Sequence, residues 1–287
     1  MIKQIRDAIG TLNPNEVRQQ ADQRIVIEVI GSSPESYREM GRFFAPPTIS
    51  QVKREEVRNV VFKAGEAPDT PTLRIYDEDT PHGPDDFTFY RANPERMVEE
   101  IIERRPELSL ALAKHLVNFR QPVVNRIIRN VCNENALFSL ATAVPSIVPF
   151  ISLPWAIGEF ASDTAFITMN QIRMAFQIAA ASDRAVGYSE QRAEIASIVG
   201  GAFGWRALAR ELVGKIPFGG GLIPKAAVAY AGTFVAGISL DRYYHLGYGF
   251  SRAERKAAYQ DAFERGKAIA SSMLENIRAL QSRPKAS

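Results

Sequence analysis

The order of apolar and polar residues changes along the chain from strand-like clusters to a helical periodicity. Residues Arg24–Gly31 read RIVIEVIG, a β-branched cluster that ends at a glycine, which is typical of a buried strand. Residues 33–35 then supply an N-cap serine, a proline at the first helical position and an acid in the first turn, so a helix is predicted near Ser36–Phe44. Further strands are predicted at residues 59–63, 72–76 and 86–90.

The rest of the chain has a helical pattern. A second capping signal at residues 93–95 begins the first of these helices, and Trp155–Ala181 is predicted to be one helix. A capping box between Ser251 and Glu254 begins the last one. The sequence predicts an α+β fold with a small α/β domain at residues 1–92, a helical domain with Gly/Pro-rich hairpins at 93–282, and a tail at 283–287.

Two regions are almost free of charge. Asn135–Gly158 has no charged residue and contains three prolines, and Ile216–Leu240 contains one charge, Lys225. The first region reaches the ~20 apolar residues that a hydrocarbon core requires. Because each proline removes a backbone donor, a straight spanning helix is disfavoured. We expect re-entrant or interfacial segments that touch the bilayer.

Charge is distributed unevenly about the net value of +3. Residues 1–118 carry 16 Lys and Arg against 20 Asp and Glu, whereas residues 119–287 carry 19 against 12. Cations beside apolar segments suit anionic lipid headgroups, although Arg-rich helix faces are also common on soluble proteins. The predicted strands do not interleave basic and aromatic residues, so nucleic acid is not predicted as a partner. The charged first residues and the single Cys132 predict a protein without a signal peptide, in a reducing cytoplasm.

The strand, turn and helix after Ile25 invite comparison with a phosphate-binding loop. Gly31 is in place, but Tyr37 stands at the lysine position of that motif and Glu35 would repel phosphate. An ordinary βα turn is the favoured interpretation, and no GTP or ATP binding is predicted.

The acidic loop at residues 77–86 is the other polar cluster of this half. Its carboxylates and His82 could in principle bind a hard cation, but the spacing matches no calcium loop and two prolines favour an extended solvated loop. No G-x-S-x-G elbow occurs. We therefore predict a protein that is not an enzyme, with no catalytic, cofactor-binding or metal-binding residues.

A polar seam, defined as Asp163, Asn170 and Gln177, recurs every seven residues on one predicted helix. Inside an apolar bundle such residues need hydrogen-bonding partners, and Arg206, Arg210 and Lys225 are the candidates. The alternative is that the seam faces water on an amphipathic helix.

Several short segments of the helical half stand out between Phe119 and Tyr244: FRQPVV, Asp163, Asn170–Gln171, ALAR and IP…IPKAAVAYAGT. Over this range the chain resembles the YcjF-like bacterial domain of unknown function. The resemblance implies an α-helical module at the inner membrane with a connection to Era-like GTPases, and no established activity. By analogy, residues 1–92 would then be a degenerate remnant of a GTPase domain.

The function predicted from the sequence is that of a non-enzymatic, membrane-associated helical accessory protein. Its partners would be lipid on the cytoplasmic side of the bacterial inner membrane and an Era-like GTPase. The alternative is a soluble helical protein that binds an apolar ligand or lipid in its core. The oligomeric state does not follow from the sequence.

Overall fold

A computed structural model of the chain describes residues 2–143, 163–201 and 221–281. The chain forms two compact units, an α/β unit and a helical unit. The α/β unit comprises residues 15–125 and 179–186, and the helical unit comprises residues 1–14, 126–178 and 187–287. The predicted α+β fold class, with a mainly helical part, is confirmed.

The α/β unit is built on a four-stranded parallel sheet. Its strands are β1 (Ile27–Ile30), β2 (Val61–Lys63), β3 (Leu73–Asp77) and β4 (Phe87–Phe89). β1 lies inside the predicted Arg24–Gly31, and β2, β3 and β4 begin and end within two residues of the predicted positions. The strand order is β2-β1-β3-β4, so the direction of winding changes between β1 and β3. At such a switch point, outside the carboxyl ends of the strands, open parallel sheets bind their ligands.

The helices of this unit cover an apolar sheet face. They are α2 (Pro14–Ala21), α3 (Pro34–Phe44), α4 (Gln51–Arg58), α5 (Pro94–Arg104) and α6 (Ser109–His115). Ile27 and Ile75 are fully buried on the apolar face, whereas Glu28 and Arg74 pair at 3.4 Å on the other. α5 buries Met97 and Ile101 and packs on β4.

The predicted boundary at residue 92 differs from the observed division. Residues 93–125 belong to the α/β unit, because α5 and α6 supply apolar side chains that cover the sheet. The first residues belong to the helical unit, where α1 (Ile2–Gly10) places Ala8 in a cluster with Phe138 and Phe166. The hydroxyl of Tyr188 also donates to the carbonyl oxygens of Ile9 and Leu12, at 2.7 and 2.8 Å.

Besides α1, the described residues of the helical unit include parts of two helices that begin or end in the other unit and three further helices. They are α7 (Val117–Ala143), α8 (Asp163–Ala181), α9 (residues 192–201), α10 (Leu222–Leu246) and α11 (Arg252–Gln281). The capping box predicted before α11 is present, since the Ser251 amide donates to Glu254 Oε2 at 2.8 Å and the Glu254 amide to Ser251 Oγ at 3.3 Å. Residues 144–158 of the uncharged run and residues 216–220 of the predicted hairpin tip lie outside the described residues.

α10 and α11 form a tight antiparallel pair. α10 ends at Gly247, which has φ 79° and so adopts the left-handed conformation that favours glycine. Ala227 and Ala231 face Tyr259 and Phe263 in a buried cluster. Gly266 lies so close to the partner helix that an added Cβ would stand 3.1 Å from Ala227 Cα. Small residues on both helices therefore set their separation.

We expect Gly266→Val to lower the free energy of unfolding by about 1–3 kcal/mol, because overpacking must push α10 and α11 apart. The matched control is Gly200→Val in α9, where nothing lies within 4 Å of the added Cβ. That variant should change stability by less than about 0.5 kcal/mol. Urea denaturation measures both, and equal stability of the two variants would contradict the close approach.

Candidate functional site

The carboxyl ends of the parallel strands carry a cluster of charged side chains at the switch point. Asp77 ends β3 and is fully buried, and it accepts hydrogen bonds from Ser32 after β1 and from Arg91 after β4. Arg91 Nη2 lies 2.6 Å from Asp77 Oδ2 and 2.7 Å from Asp79 Oδ2. Loops after three neighbouring strands are thus joined through one buried carboxylate.

The electrostatics of this cluster favour a closed ion network. Burial by itself would raise the pKa of Asp77, but hydrogen bonds from Ser32 and Arg91 outweigh it and hold the pKa below its ordinary value. Hydrogen bonds to Asp77 and Asp79 raise the pKa of Arg91. The guanidinium is therefore already neutralised by its own chain, which leaves it poorly suited to capture a phosphate.

The turn after β1 is filled by its own side chains. A Cβ added at Gly31 would stand 2.5 Å from Ser36 Oγ and 2.9 Å from the Tyr37 ring. Ser36 Oγ accepts from the Ser33 amide at 3.1 Å, and Ser33 Oγ accepts from the Ser36 amide at 3.2 Å. The backbone amides that could otherwise bind a phosphate therefore donate to the serine hydroxyls that cap α3. Absence of nucleotide binding stays a prediction.

The acidic loop contributes no metal centre within the part of the chain that the structure describes. No group of three or more His, Cys, Asp or Glu side chains there could hold a metal ion. His82 contacts Thr88 Oγ1 at 2.7 Å and stacks on Tyr76, which gives that ring a local structural role.

A buried hydrogen-bond network lies in the core of the helical unit. Asn135 of α7 donates through Nδ2 to Thr233 Oγ1 of α10 at 2.8 Å, and its Oδ1 accepts from Asn170 Nδ2 of α8 at 2.9 Å. Gln171 Nε2 adds a bond to Thr233 Oγ1 at 3.3 Å, and Thr233 donates to the Ala229 carbonyl at 2.8 Å. These four polar side chains are at most 3% exposed. The network contains no group that titrates near neutral pH, so its chemistry is hydrogen bonding alone.

The structure separates the members of the predicted polar seam. Asn170 is fully buried, whereas Asp163 is 30% exposed and Gln177 is half-buried. Asp163 forms an ion pair with Lys225, one of its three candidate partners, near the exposed start of α10. Of the two interpretations, Asn170 fits burial with hydrogen-bonding partners, whereas Asp163 in the first turn of α8 is only partly buried and its partner is the exposed Lys225.

The other two candidate partners, Arg206 and Arg210, lie outside the described residues. Asn170 Oδ1 is buried and has no hydrogen-bond partner among the residues that the structure describes. Pairing of Asn170 with either arginine stays a prediction.

Sequence reasoning missed Asn135 and Thr233 as members of the network. Asn135 follows Asn133 and Glu134 directly, whereas Thr233 stands alone in an apolar stretch, and no heptad spacing pointed to either residue. The available signal was chemical: an amide or hydroxyl on a buried helix face is costly unless it is paired, and two such residues on different helices are natural partners.

A cleft of about 350 Å³ lies between α9 and α10 in the same unit. One face of each helix lines it, at residues 193–201 and 235–243, and Gln171, Phe250 and Arg255 complete the wall. The walls are mainly apolar. Its size falls within the ~300–1,000 Å³ of small-molecule sites.

An exposed aromatic and aliphatic cluster follows the end of α10. Tyr243, Leu246 and Tyr248 are 41%, 56% and 57% exposed, and they account for three of the five large exposed apolar residues of the described chain. Arg242 lies under the rings of Tyr248 and Phe250, at 5.2 and 4.6 Å from their centroids. We call residues 242–256 the collar. It carries the cations Arg242, Arg252, Arg255 and Lys256 against one acid, Glu254.

α10 is the one helix in the described part of the chain that is long and apolar enough to cross a membrane. It has 25 residues, and its most apolar window has a mean hydropathy of 1.3. Half of that window is buried inside the protein, and the core helix of a soluble protein has the same properties. The helix is therefore weak evidence for a span by itself.

Compared with protein-family models, curated proteins and solved structures, the chain matches none of them. The resemblance to the YcjF-like family and its GTPase connection stay predictions.

We expect Asn135→Ala to lower the free energy of unfolding of the helical unit by about 1–3 kcal/mol, because Asn170 Nδ2 is left buried without an acceptor. Asn130→Ala is the matched control, since Asn130 is exposed on the same helix. Thermal and urea denaturation measure the difference. Equal midpoints for the two variants would contradict the network.

Arg91→Gln should lower the unfolding temperature of the α/β unit more than Arg74→Gln, whose arginine only pairs with half-buried Glu28. The loss arises because the buried Asp77 carboxylate loses its cation. Since the pKa of Asp77 is held below 3.8, the wild-type advantage should be complete above that pH and shrink as Asp77 is protonated below it. A difference that grows on acidification would contradict this assignment.

Proposed function

We propose that the protein is a membrane-associated helical accessory protein that attaches to anionic lipid through the collar. One observation carries the proposal: Tyr243, Leu246 and Tyr248 are clustered and exposed beside an excess of cations. Apolar and aromatic side chains with nearby Lys and Arg are the composition of interfacial membrane contacts. No catalytic role is part of the proposal.

Interfacial attachment is a better fit than a span. Much of α10 is already covered by its own unit, with Gly237 against Ile128 and Ala227 against Gly266. Lipid could replace those contacts only if the core were opened. The end of α10 needs no such rearrangement, because its large side chains are exposed already.

The proposed site is the cytoplasmic side of the bacterial inner membrane, as the sequence predicts. A protein partner is also part of the proposal. An Era-like GTPase is supported as that partner only by the family resemblance.

The experiment is flotation of purified full-length protein with liposomes of graded phosphatidylglycerol content. We expect binding that increases with anionic lipid and decreases with salt, because cationic attraction is screened. The double variant Leu246→Glu with Tyr248→Glu should bind at least ~10-fold more weakly, since each buried side chain contributes about 1.5 kcal/mol or more.

Val52→Glu is the matched control, because Val52 is 67% exposed but lies in α4 of the α/β unit. It should float like wild type. If wild type stays with the soluble fraction at every composition, or if Val52→Glu is as defective as the collar variant, the proposal is wrong. The soluble helical protein with a ligand in its core would then take its place.

A further inference from the structure

We infer that the cleft between α9 and α10 binds one alkyl chain of a single-chain anionic amphiphile, with the head group at Arg255. The cleft shares Tyr243, Phe250 and Arg255 with the collar, but it takes a single chain inside the protein and can be occupied in solution. Its ligand class is a carboxylate or phosphate ester that carries a chain of medium length.

The size of the cleft limits the chain. A volume of about 350 Å³ holds roughly a dozen groups the size of water, each of which takes about 30 Å³ in the liquid. Along α10 the cleft extends from Val235 to Tyr243, which at 1.5 Å per residue is about 12 Å. A chain of medium length such as dodecyl therefore fits the cleft with its first carbons and the head group at the open end.

The walls have the chemistry of a chain-binding site. Ile198, Val235 and Leu240 are buried apolar residues that line it, and Phe250 lies across its end. Each methylene that leaves water on entering contributes about 0.8 kcal/mol. In contact with these walls, an alkyl chain therefore contributes more binding free energy than any other part of the ligand.

The two ends of the cleft differ. Gln171 lines it near Val235 and bonds Thr233 of the buried network, so this end belongs to the core. Tyr243 and Arg255 line it at the other end and are exposed. A charged head group can stay in water at that second end while the chain points inward.

One polar atom in the wall indicates that the ligand has oxygen atoms close to its chain. Ser239 Oγ is buried and has no hydrogen-bond partner among the described residues, and Ser239 lines the cleft one helical turn before Tyr243. A pure hydrocarbon would leave that hydroxyl unpaired, at a cost of the order of 1–3 kcal/mol. A carboxylate or ester oxygen would accept its hydrogen bond.

Glu194 is the opposing charge in the lining. It should weaken an anionic ligand and strengthen a cationic one, whereas Arg255 should do the reverse. Whether the cleft prefers an anionic or a cationic head group therefore depends on the balance between Glu194 and Arg255. Substitution of each residue tests the assignment.

The experiment is isothermal titration calorimetry of the full-length protein, free of detergent, with dodecanoate below its micelle concentration. A second arm uses a lysophosphatidylglycerol with a twelve-carbon chain, and a third uses dodecyltrimethylammonium. We expect saturable binding in at least one anionic arm, which also identifies carboxylate or phosphate ester as the source. The cationic amphiphile should bind at least ~10-fold more weakly.

Variants locate the site. Ser197→Phe introduces a bulky side chain from an exposed position of the lining and should abolish saturable binding, and Ala236→Phe should do the same from α10. Arg255→Gln should weaken binding roughly three- to five-fold and Glu194→Gln should tighten it, as expected for partly exposed charges. Arg278→Gln, an exposed cation of α11 away from the cleft lining, is the control and should bind like wild type.

The outcomes that overturn the inference are distinct from failure to bind membranes. No saturable binding of either anionic amphiphile to folded wild type would overturn it, and so would unchanged binding by folded Ser197→Phe. Preference for the cationic amphiphile would overturn the assignment to Arg255. Because no vesicle is present, a negative flotation result for the collar leaves each of these readouts intact.

Discussion

The amide of Asn135 must find its hydrogen bonds inside an apolar core, and this requirement organises the helical unit. The side chain is fully buried, so it reaches no solvent, and it is held by Thr233 on one side and Asn170 on the other. A shift of any of the three helices along its axis would leave a buried polar atom unpaired. Apolar packing alone tolerates such shifts far better. The network therefore selects one register among several that would bury similar area.

That register determines which neighbour each face of α10 contacts along its length. Gly237 allows α7 to approach on one side, and Ala227 allows α11 to approach on another. The side that includes Val235 and Ser239 faces α9, where the cleft remains. In the last turn of the helix Tyr244 is still buried, whereas Tyr243 and Leu246 are exposed. One helix thus links the buried network, the cleft and the collar, because each uses a different face or end of it.

In the α/β unit, the protein's own side chains occupy the switch point at which open parallel sheets bind their ligands. Parallel strands bring three loops together at the switch point, and there a buried carboxylate must be compensated. Arg91 and Ser32 provide that compensation, so the charges of the edge satisfy one another. The short turn at Gly31 adds to this closure, because Ser36 and Tyr37 fill the space around it.

Local signals in the sequence predicted the strands, the start of α3 and the start of α11, because β-branched clusters and capping boxes act over a few residues. They also predicted a chain with a mainly helical second half and gave Lys225 as a candidate partner of Asp163, a pair that the structure contains. α1, α2 and α4 were missed, since short polar helices take their stability from the surface on which they pack rather than from their own pattern.

The sequence by itself determined the strands, the longer helices and the uneven charge, because these follow from residues close together in the chain. Only the tertiary structure decided where the units divide, which polar residues are buried and where a cleft remains. Asn135 and Thr233 are 98 positions apart, and neither shows a partner in its own neighbourhood. Asp163, with the same seam spacing as Asn170, lies at the exposed end of α8 instead of in the core. Burial is a property of the assembled unit, and for this reason a periodic pattern could identify the helix but not the environment of each side chain.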